Sequence, residues 1–363
     1  MSFSKIHSRL LPKMGSFAGF NLPLRFGKFN SKDVVVNTRK PGYTTVFDVS
    51  HMGVYETQDL SNFIGKKLEN LLYIDIDKLT SNKAKLATLI NSDGMVIDDL
   101  IISNVDNRKY RLVVNADKKT KGFFDNFDKG KLINTGQSII ALQGDGSQKI
   151  VENIIRQPLD NLYFMENKTI VKNQFEICRC GYTGEDGFEL YLDDNYGNQI
   201  YENLVSLAEN HESSLVQFGG LIERDMLRTE AGLCLSGTEF GDNLEIKFNA
   251  LKMPFLIDKK YRLDDTLKEK FHSDIVQTMM VSSKPIQKGS LYIQNKKDNT
   301  DIKVGFITSA VKSFNLNKFI GIGYINRDYR MSGKVYTKDR KERKNYLELK
   351  DSVIKPNYYR KNN

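Results

Sequence analysis

At 363 residues the chain is too long for one typical core and fits two or three packed units. Its 40% apolar and 27% charged residues are ordinary for a globular protein, and no run approaches the ~20 apolar residues of a membrane helix, which excludes helical spanning. The net charge of +9 gathers at the ends: residues 1–32 carry six Lys/Arg and no acid, and residues 334–363 carry ten basic and four acidic side chains, a distribution that attracts an anionic partner or forms a solvated surface.

In chain order, residues 1–13 are Ser- and Lys/Arg-bearing without acids, which suits a matrix-targeting presequence, and a structural segment begins at Met14. Apolar residues at 63, 68, 71 and 72 predict a weak amphipathic helix. Met95-Val-Ile-Asp-Asp-Leu-Ile-Ile-Ser103 and Tyr110-Arg-Leu-Val-Val-Asn-Ala116 flank a polar turn and predict a hairpin whose first strand is apolar on both faces. Residues 188–192 alternate, with Phe188, Leu190 and Leu192 on one face and Glu189 and Tyr191 on the other. A helix is expected over 196–210, with Ile200, Leu204, Leu207 and Ala208 inward, and another over 221–231, ended by Gly232. After Met253 the chain reads as charged and irregular, and from about residue 290 as short strands of a separate β unit. Strands and helices alternate without βαβ regularity, so the fold class is α+β.

Cys178, Cys180 and Cys234 cannot make a disulfide framework, and no two of the four histidines lie three to five residues apart; no metal site is expected, and a reducing compartment is. Asp98-Asp99 stands out instead. Asp99 shares a strand face with Ile97 and Ile101, Asp98 the other with Val96, Leu100 and Ile102. A carboxylate withdrawn from water among aliphatic neighbours costs several kcal/mol unless hydrogen-bonded, and its pKa rises. That marks a functional candidate, against the plainer reading of a salt-bridged or capping acid, and alternation alone does not choose between the two aspartates.

The loop Gly181-Tyr-Thr-Gly-Glu-Asp-Gly187 is glycine-rich but acidic at its tip, so it is no phosphate loop; it fits close approach to a ligand or a tight hairpin. Glu189 can point into a pocket, where a carboxylate fork complements two adjacent N–H donors such as the 2-amino-4-oxo edge of a pterin. Arg224 and Arg228 fall on one helix face; Arg228 reads as a buttress paired with Asp225 or Glu230. Cys234 reads as packing, and Asp48, Ser50 and His51 lie too close together on an extended segment to converge as a triad.

Several segments in order resemble the aminomethyltransferase (T-protein) family of the glycine cleavage system: Phe17-Ala-Gly-Phe-Asn-Leu-Pro23, Phe47-Asp-Val-Ser-His-Met52, Asn91-Ser-Asp-Gly-Met-Val-Ile-Asp-Asp-Leu100, Val113-Val-Asn-Ala116, Ala141-Leu-Gln-Gly144, the run from Arg179 to Glu189, Glu223-Arg-Asp-Met-Leu-Arg-Thr-Glu-Ala-Gly-Leu233, Val304-Gly-Phe-Ile-Thr-Ser309 and Gly321-Ile-Gly-Tyr324. The resemblance spans nearly the whole chain. It implies a multi-domain α+β fold, with a folate-binding catalytic region over 1–252 and a C-terminal β-barrel domain over 253–363. It places the catalytic aspartate at Asp99, the folate-contacting glutamate at Glu189 and the substrate-contacting arginine at Arg224, with Met52, Val113, Asn115 and Tyr358 also at the folate or substrate.

The same resemblance implies tetrahydrofolate as co-substrate, the acidic lipoyl carrier H-protein as partner and no metal. With no clustered aromatic and basic residues and no long apolar run, no nucleic acid and no membrane are expected. The acid-free first 32 residues, together with Arg179-Cys-Gly-Tyr182 and Asn357-Tyr-Tyr-Arg360, point to a mitochondrial matrix location. The chain departs from the family pattern at Ser236, where a tyrosine is common, across 241–248, at Ala310 and in lacking tryptophan. The rival readings are a folate-binding relative acting in iron–sulfur cluster maintenance, whose hallmark Lys-Gly-Cys-Tyr stretch is missing here, and a catalytically weakened folate-binding scaffold.

Overall fold

The computed structural model describes residues 3–58, 72–74, 79–91, 93–106, 109–116, 132–170, 175–210, 215–241, 244–252, 271–331 and 334–360. Among these, two six-stranded sheets and a closed six-stranded barrel carry the architecture. The first sheet runs in the order Asn167–Ile170, Phe175–Cys178, Gly187–Leu192, Ser138–Gln143, Thr44–Asp48, Val216–Phe218; its last pair is parallel and the others antiparallel. The second runs Leu72–Tyr73, Lys83–Ile90, Val96–Asn104, Tyr110–Val114, Gly53–Thr57, Ile133–Asn134, antiparallel throughout. The mix of sheets and separate helices is the expected α+β class.

The predicted hairpin forms as Val96–Asn104 against Tyr110–Val114, with Leu100 opposite Val114 and Asn104 opposite Tyr110. Its first strand also pairs with Lys83–Ile90, where the register slips between Leu89 and Ile90, leaving Ile97 as an extra residue beside the two aspartates. A bulge of this kind bends the strand and re-aims its side chains. The expected 63–72 helix lies outside the described residues except for Leu72, which pairs with Leu89.

The apolar face of the 188–192 strand packs into one core with helix Asp194–Glu209. That helix begins two residues earlier than the periodicity indicates, because the Asp193 side chain accepts from Tyr196 N at 2.8 Å. Ile200, Leu204 and Ala208 point inward, whereas Leu207, expected on the same face, is exposed; at its angle on the wheel it falls outside the buried stripe. Helix Leu221–Glu230 ends as expected, with Gly232 at φ +76° donating to Thr229 O.

The acid-free start of the chain is built into this first core. Phe3 is fully buried and stacks on Tyr201 with ring centroids 4.4 Å apart, Leu10 is buried beside them, and the His7 ring nitrogen lies 3.3 Å from Asp48. Phe3→Ala is therefore expected to cost about 3 kcal/mol, within the range for truncating a buried aromatic. Urea unfolding reads this directly, and unchanged stability would show that the segment is dispensable.

The barrel orders Ile275–Ser282, Lys318–Asn326, Asp301–Ser313, Gly289–Gln294, Val335–Lys338 and Lys344–Lys350. Its first strand corrects the reading of that region as irregular. Gln277, Thr278 and Ser282 interrupt the apolar pattern, yet all three are buried, and the strand pairs on both edges to close the barrel. The expected boundary at 252/253 abuts residues outside the description.

Candidate active site

The face of the first sheet that carries Glu189 and Tyr191 meets the second sheet across a shared apolar layer that includes Phe47, Val54, Val113 and Leu227. A cavity opens at the edge of this layer. Its wall includes Met52, Asp99, Val113, Asn115, Glu189 and Arg224, six of the seven residues singled out in the sequence, contributed by both sheets and helix Leu221–Glu230.

Strand geometry separates the two aspartates. Asp98 is fully buried, in alternation with Val96, Leu100 and Ile102; Asp99 is partly buried and lines the cavity with Ile101. The Asn115 amide ties the pair together, donating to Asp98 Oδ1 and Asp99 Oδ1, each at 2.8 Å, and to Asp99 O at 3.1 Å. Asp99 N adds a bond of 2.9 Å to Asp98 Oδ1. Burial, and then the neighbouring Asp98 charge, push the Asp99 pKa up to about 7, against the lowering effect of Asn115. Asp99 therefore exchanges its proton near neutral pH at a fixed point on the wall.

Glu189 is buried, and its Oε2 accepts from the Tyr191 hydroxyl at 3.0 Å. Arg224 lies with its guanidinium 4.8 Å from the centre of the Tyr182 ring, and no ion pair holds it among the described residues. The Tyr182 hydroxyl in turn donates to Cys234 O. Arg224 and Tyr182 also line a second, neighbouring cavity that reaches Phe17, Lys288 and Ser309, so the two side chains stand between the two spaces.

The loop 181–187 is fastened from behind. Gly184 adopts φ +80°, Thr183 donates to Gln143 at 2.7 Å, and Arg39 joins Glu185 at 2.6 Å to Glu230 at 2.9 Å. Glu230 is thus the partner of Arg39, not of Arg228. Arg228 pairs with Asp225, as expected, and with the fully buried Glu239 at 2.8 Å. Sequence spacing had no way to show Glu239, which lies on an irregular loop.

Tyr358 stands one layer behind the wall. Its ring stacks on Phe164, 4.0 Å between centroids, and Phe164 lines the cavity. The C-terminal segment is held there by Asn357 N donating to Gly184 O and Phe164 N donating to Tyr359 O. Phe164, Tyr182 and Ser236 are wall residues to which the sequence assigned no role; Tyr182, inside the glycine-rich loop, and Ser236, where the family pattern has a tyrosine, carried a signal, and Phe164 did not. Cys180 and Cys234 also reach the cavity, but both thiols are pushed well above their ordinary range, Cys180 chiefly by its hydrogen bond with Cys178 and Cys234 by burial, which keeps them protonated. His51 is buried against Phe17 and Phe20, and Asp48 turns to His7, so no triad forms.

Residues 3–260 match the family model described as the GCVT N-terminal domain. A protein of Staphylococcus carnosus named aminomethyltransferase is 30% identical over 95% of this chain and 94% of its own length. One of Thermoanaerobacter pseudethanolicus with the same name is 30% identical over 96% and 94%. The mitochondrial aminomethyltransferase of Pisum sativum is 30% identical over 88% of this chain and 80% of its own. The crystal structure of the glycine cleavage system aminomethyltransferase T from Bartonella henselae superimposes with a TM-score of 0.84 over 99% of both chains, at 23% identity, a likeness of fold.

Proposed function

The chain belongs to the aminomethyltransferase family, and on that premise we propose that it transfers the methylene of an aminomethylated dihydrolipoyl carrier to tetrahydrofolate. The observation that carries this reading is the convergence of Asp99, Asn115, Glu189 and Arg224 on one cavity. The Glu189 carboxylate accepts from the adjacent N–H donors of the pterin edge, while Met52 and Val113 supply apolar wall to its ring. The second cavity, across Arg224 and Tyr182, admits the lipoyl arm from the opposite side.

In the reaction the C–N bond of the aminomethyl group breaks and ammonia leaves, giving a methylene cation stabilised by sulfur. N5 of tetrahydrofolate adds to that carbon. The N5 proton is lost and replaces the one that left with ammonia. N10 then closes the ring as the C–S bond breaks, and the N10 proton passes to the sulfur, restoring the carrier thiol. Asp99 as carboxylate stabilises the developing positive charge and orients N10. Calorimetric titration with tetrahydrofolate, followed by an assay with aminomethylated carrier, tests the two halves. Binding without ammonia release would favour the catalytically weakened folate-binding scaffold.

An acidic carrier is attracted to a chain of net charge +9 mainly through its association rate. The kcat/KM for the carrier is expected to fall steeply from low to physiological salt, and tetrahydrofolate affinity much less. In the C-terminal cluster Lys338 and Lys344 share Asp301 and Arg343 faces Asp339, while Arg340 and Lys341 have no ion pair among the described residues, so the cluster keeps a positive excess. Replacing Lys338, Arg340, Lys341, Arg343 and Lys344 by Gln takes five positive charges from the net +9 and should lower the rate and flatten its salt slope; an unchanged rate and slope would make the cluster a solvated surface only.

The mitochondrial matrix is the location we infer, on the acid-free first 32 residues and the mitochondrial pea relative. Because Phe3 and Leu10 belong to the core, the folded protein is expected to keep them after import. A C-terminal fluorescent fusion that stays cytosolic would overturn the assignment.

A further inference from the structure

Behind the cavity wall lies a line of buried charge that the transfer reaction does not use. Arg111 is fully buried at the centre of the second sheet, in contact with the nearly buried Glu176 and 3.5 Å from Glu56; Lys109 reaches the same two carboxylates. Burying a cation this deeply is costly even when paired. Its guanidinium carbon sits 4.3 Å from the centre of the Tyr191 ring, and Tyr191 is itself fully buried, one strand step of two residues from Glu189. The ring's hydroxyl ends on Glu189 Oε2 at 3.0 Å.

We propose that Tyr191 is a positioning residue for tetrahydrofolate, its hydroxyl fixing the Glu189 carboxylate at the cavity wall and its ring polarised by Arg111 beneath it. The inference rests on the reading above that Glu189 meets the pterin. A cation on the face of a phenol draws electron density from the ring, so the O–H becomes a stronger donor to a carboxylate. Burial and the Glu189 charge meanwhile hold the Tyr191 pKa well above its ordinary value, so the hydroxyl keeps its proton and remains a donor across the working pH range. With one oxygen held, the carboxylate cannot rotate away, and a fixed fork meets two adjacent N–H donors at a smaller ordering cost than a free one.

The test is a double-mutant cycle in the full chain using Tyr191→Phe, Glu189→Ala and the pair, read by calorimetric titration with tetrahydrofolate and by urea unfolding. Tyr191→Phe keeps the ring over Arg111 and should fold. It is expected to weaken tetrahydrofolate binding about tenfold, with kcat at saturating folate within about twofold, and to cost less than twofold in the Glu189→Ala background. Unchanged affinity in Tyr191→Phe, or an equal loss in both backgrounds, would overturn the proposal. Unfolding reads the Tyr191–Glu189 bond without any folate. Coupling there, together with wild-type protein that does not bind tetrahydrofolate, would sink the functional reading while keeping the contact. Absence of coupling would sink this inference whatever the folate result.

Discussion

Asp99→Asn is expected to lower turnover about a hundredfold or more while keeping tetrahydrofolate affinity within about tenfold, the scale of losing one charged group at the reacting centre. The substitution preserves shape, and the new amide oxygen still accepts from Asn115, which now holds Asp99 Oδ1 at 2.8 Å. What disappears is the charge. If the carboxylate is the active form, as proposed, then with its pKa at about 7 wild-type turnover should rise with pH through neutrality and level above it, a limb the Asn variant lacks. Stability should move the other way. The folded state holds this proton more tightly than the unfolded chain, so wild-type stability falls as pH rises from about 4 to about 7. Asp99→Asn is therefore expected to be at least as stable as wild type at pH 8, with the difference closing near pH 4. A larger loss of turnover from Asp98→Asn, or full activity in Asp99→Asn, would reverse the assignment.

Glu239→Ala is expected to cost about 3–5 kcal/mol, the scale of breaking a buried ion pair from one side. Glu239 is fully buried and accepts from Arg228 at 2.8 Å, Leu235 N at 2.8 Å, Thr308 at 2.7 Å and Ser309 at 2.6 Å. Its removal leaves the buried Arg228 cation with only the exposed Asp225 as counter-charge and unties the barrel from the loop whose Leu235 and Ser236 line the cavity. Urea unfolding should show the loss, with lower turnover in the surviving folded protein. A cost under 1 kcal/mol would mean that water replaces the carboxylate and that the clamp is incidental.

Local signals in the sequence reached far into the site. Alternation marked the Asp98–Asp99 strand as apolar on both faces, and the family motifs placed six residues that the fold gathers around one cavity. The choice between the two aspartates needed the register, because a bulge at Leu89/Ile90 and the reach of Asn115 decide which carboxylate is exposed to the cavity. Other features are non-local in origin. The Arg39–Glu230 and Arg228–Glu239 pairs join segments whose approach depends on the whole fold, so of the two partners read for Arg228, Asp225 holds at helical spacing, Glu230 turns to Arg39, and Glu239 had no local signal. The barrel strand Ile275–Ser282 was masked by polar residues that only barrel closure buries. Tyr358, expected at the ligand, instead stacks on the wall residue Phe164 from behind, a contact with no motif of its own.

The central claim is that this cavity joins a carrier-borne one-carbon unit to tetrahydrofolate. Its most direct test is a single-turnover reaction of the wild-type chain with aminomethylated lipoyl carrier, with and without tetrahydrofolate, following ammonia and 5,10-methylenetetrahydrofolate together. The two products should appear at equal rates and in equal amounts with tetrahydrofolate present, and ammonia release should be far slower without it. Tetrahydrofolate bound in the cavity while the carrier keeps its aminomethyl group would contradict the account.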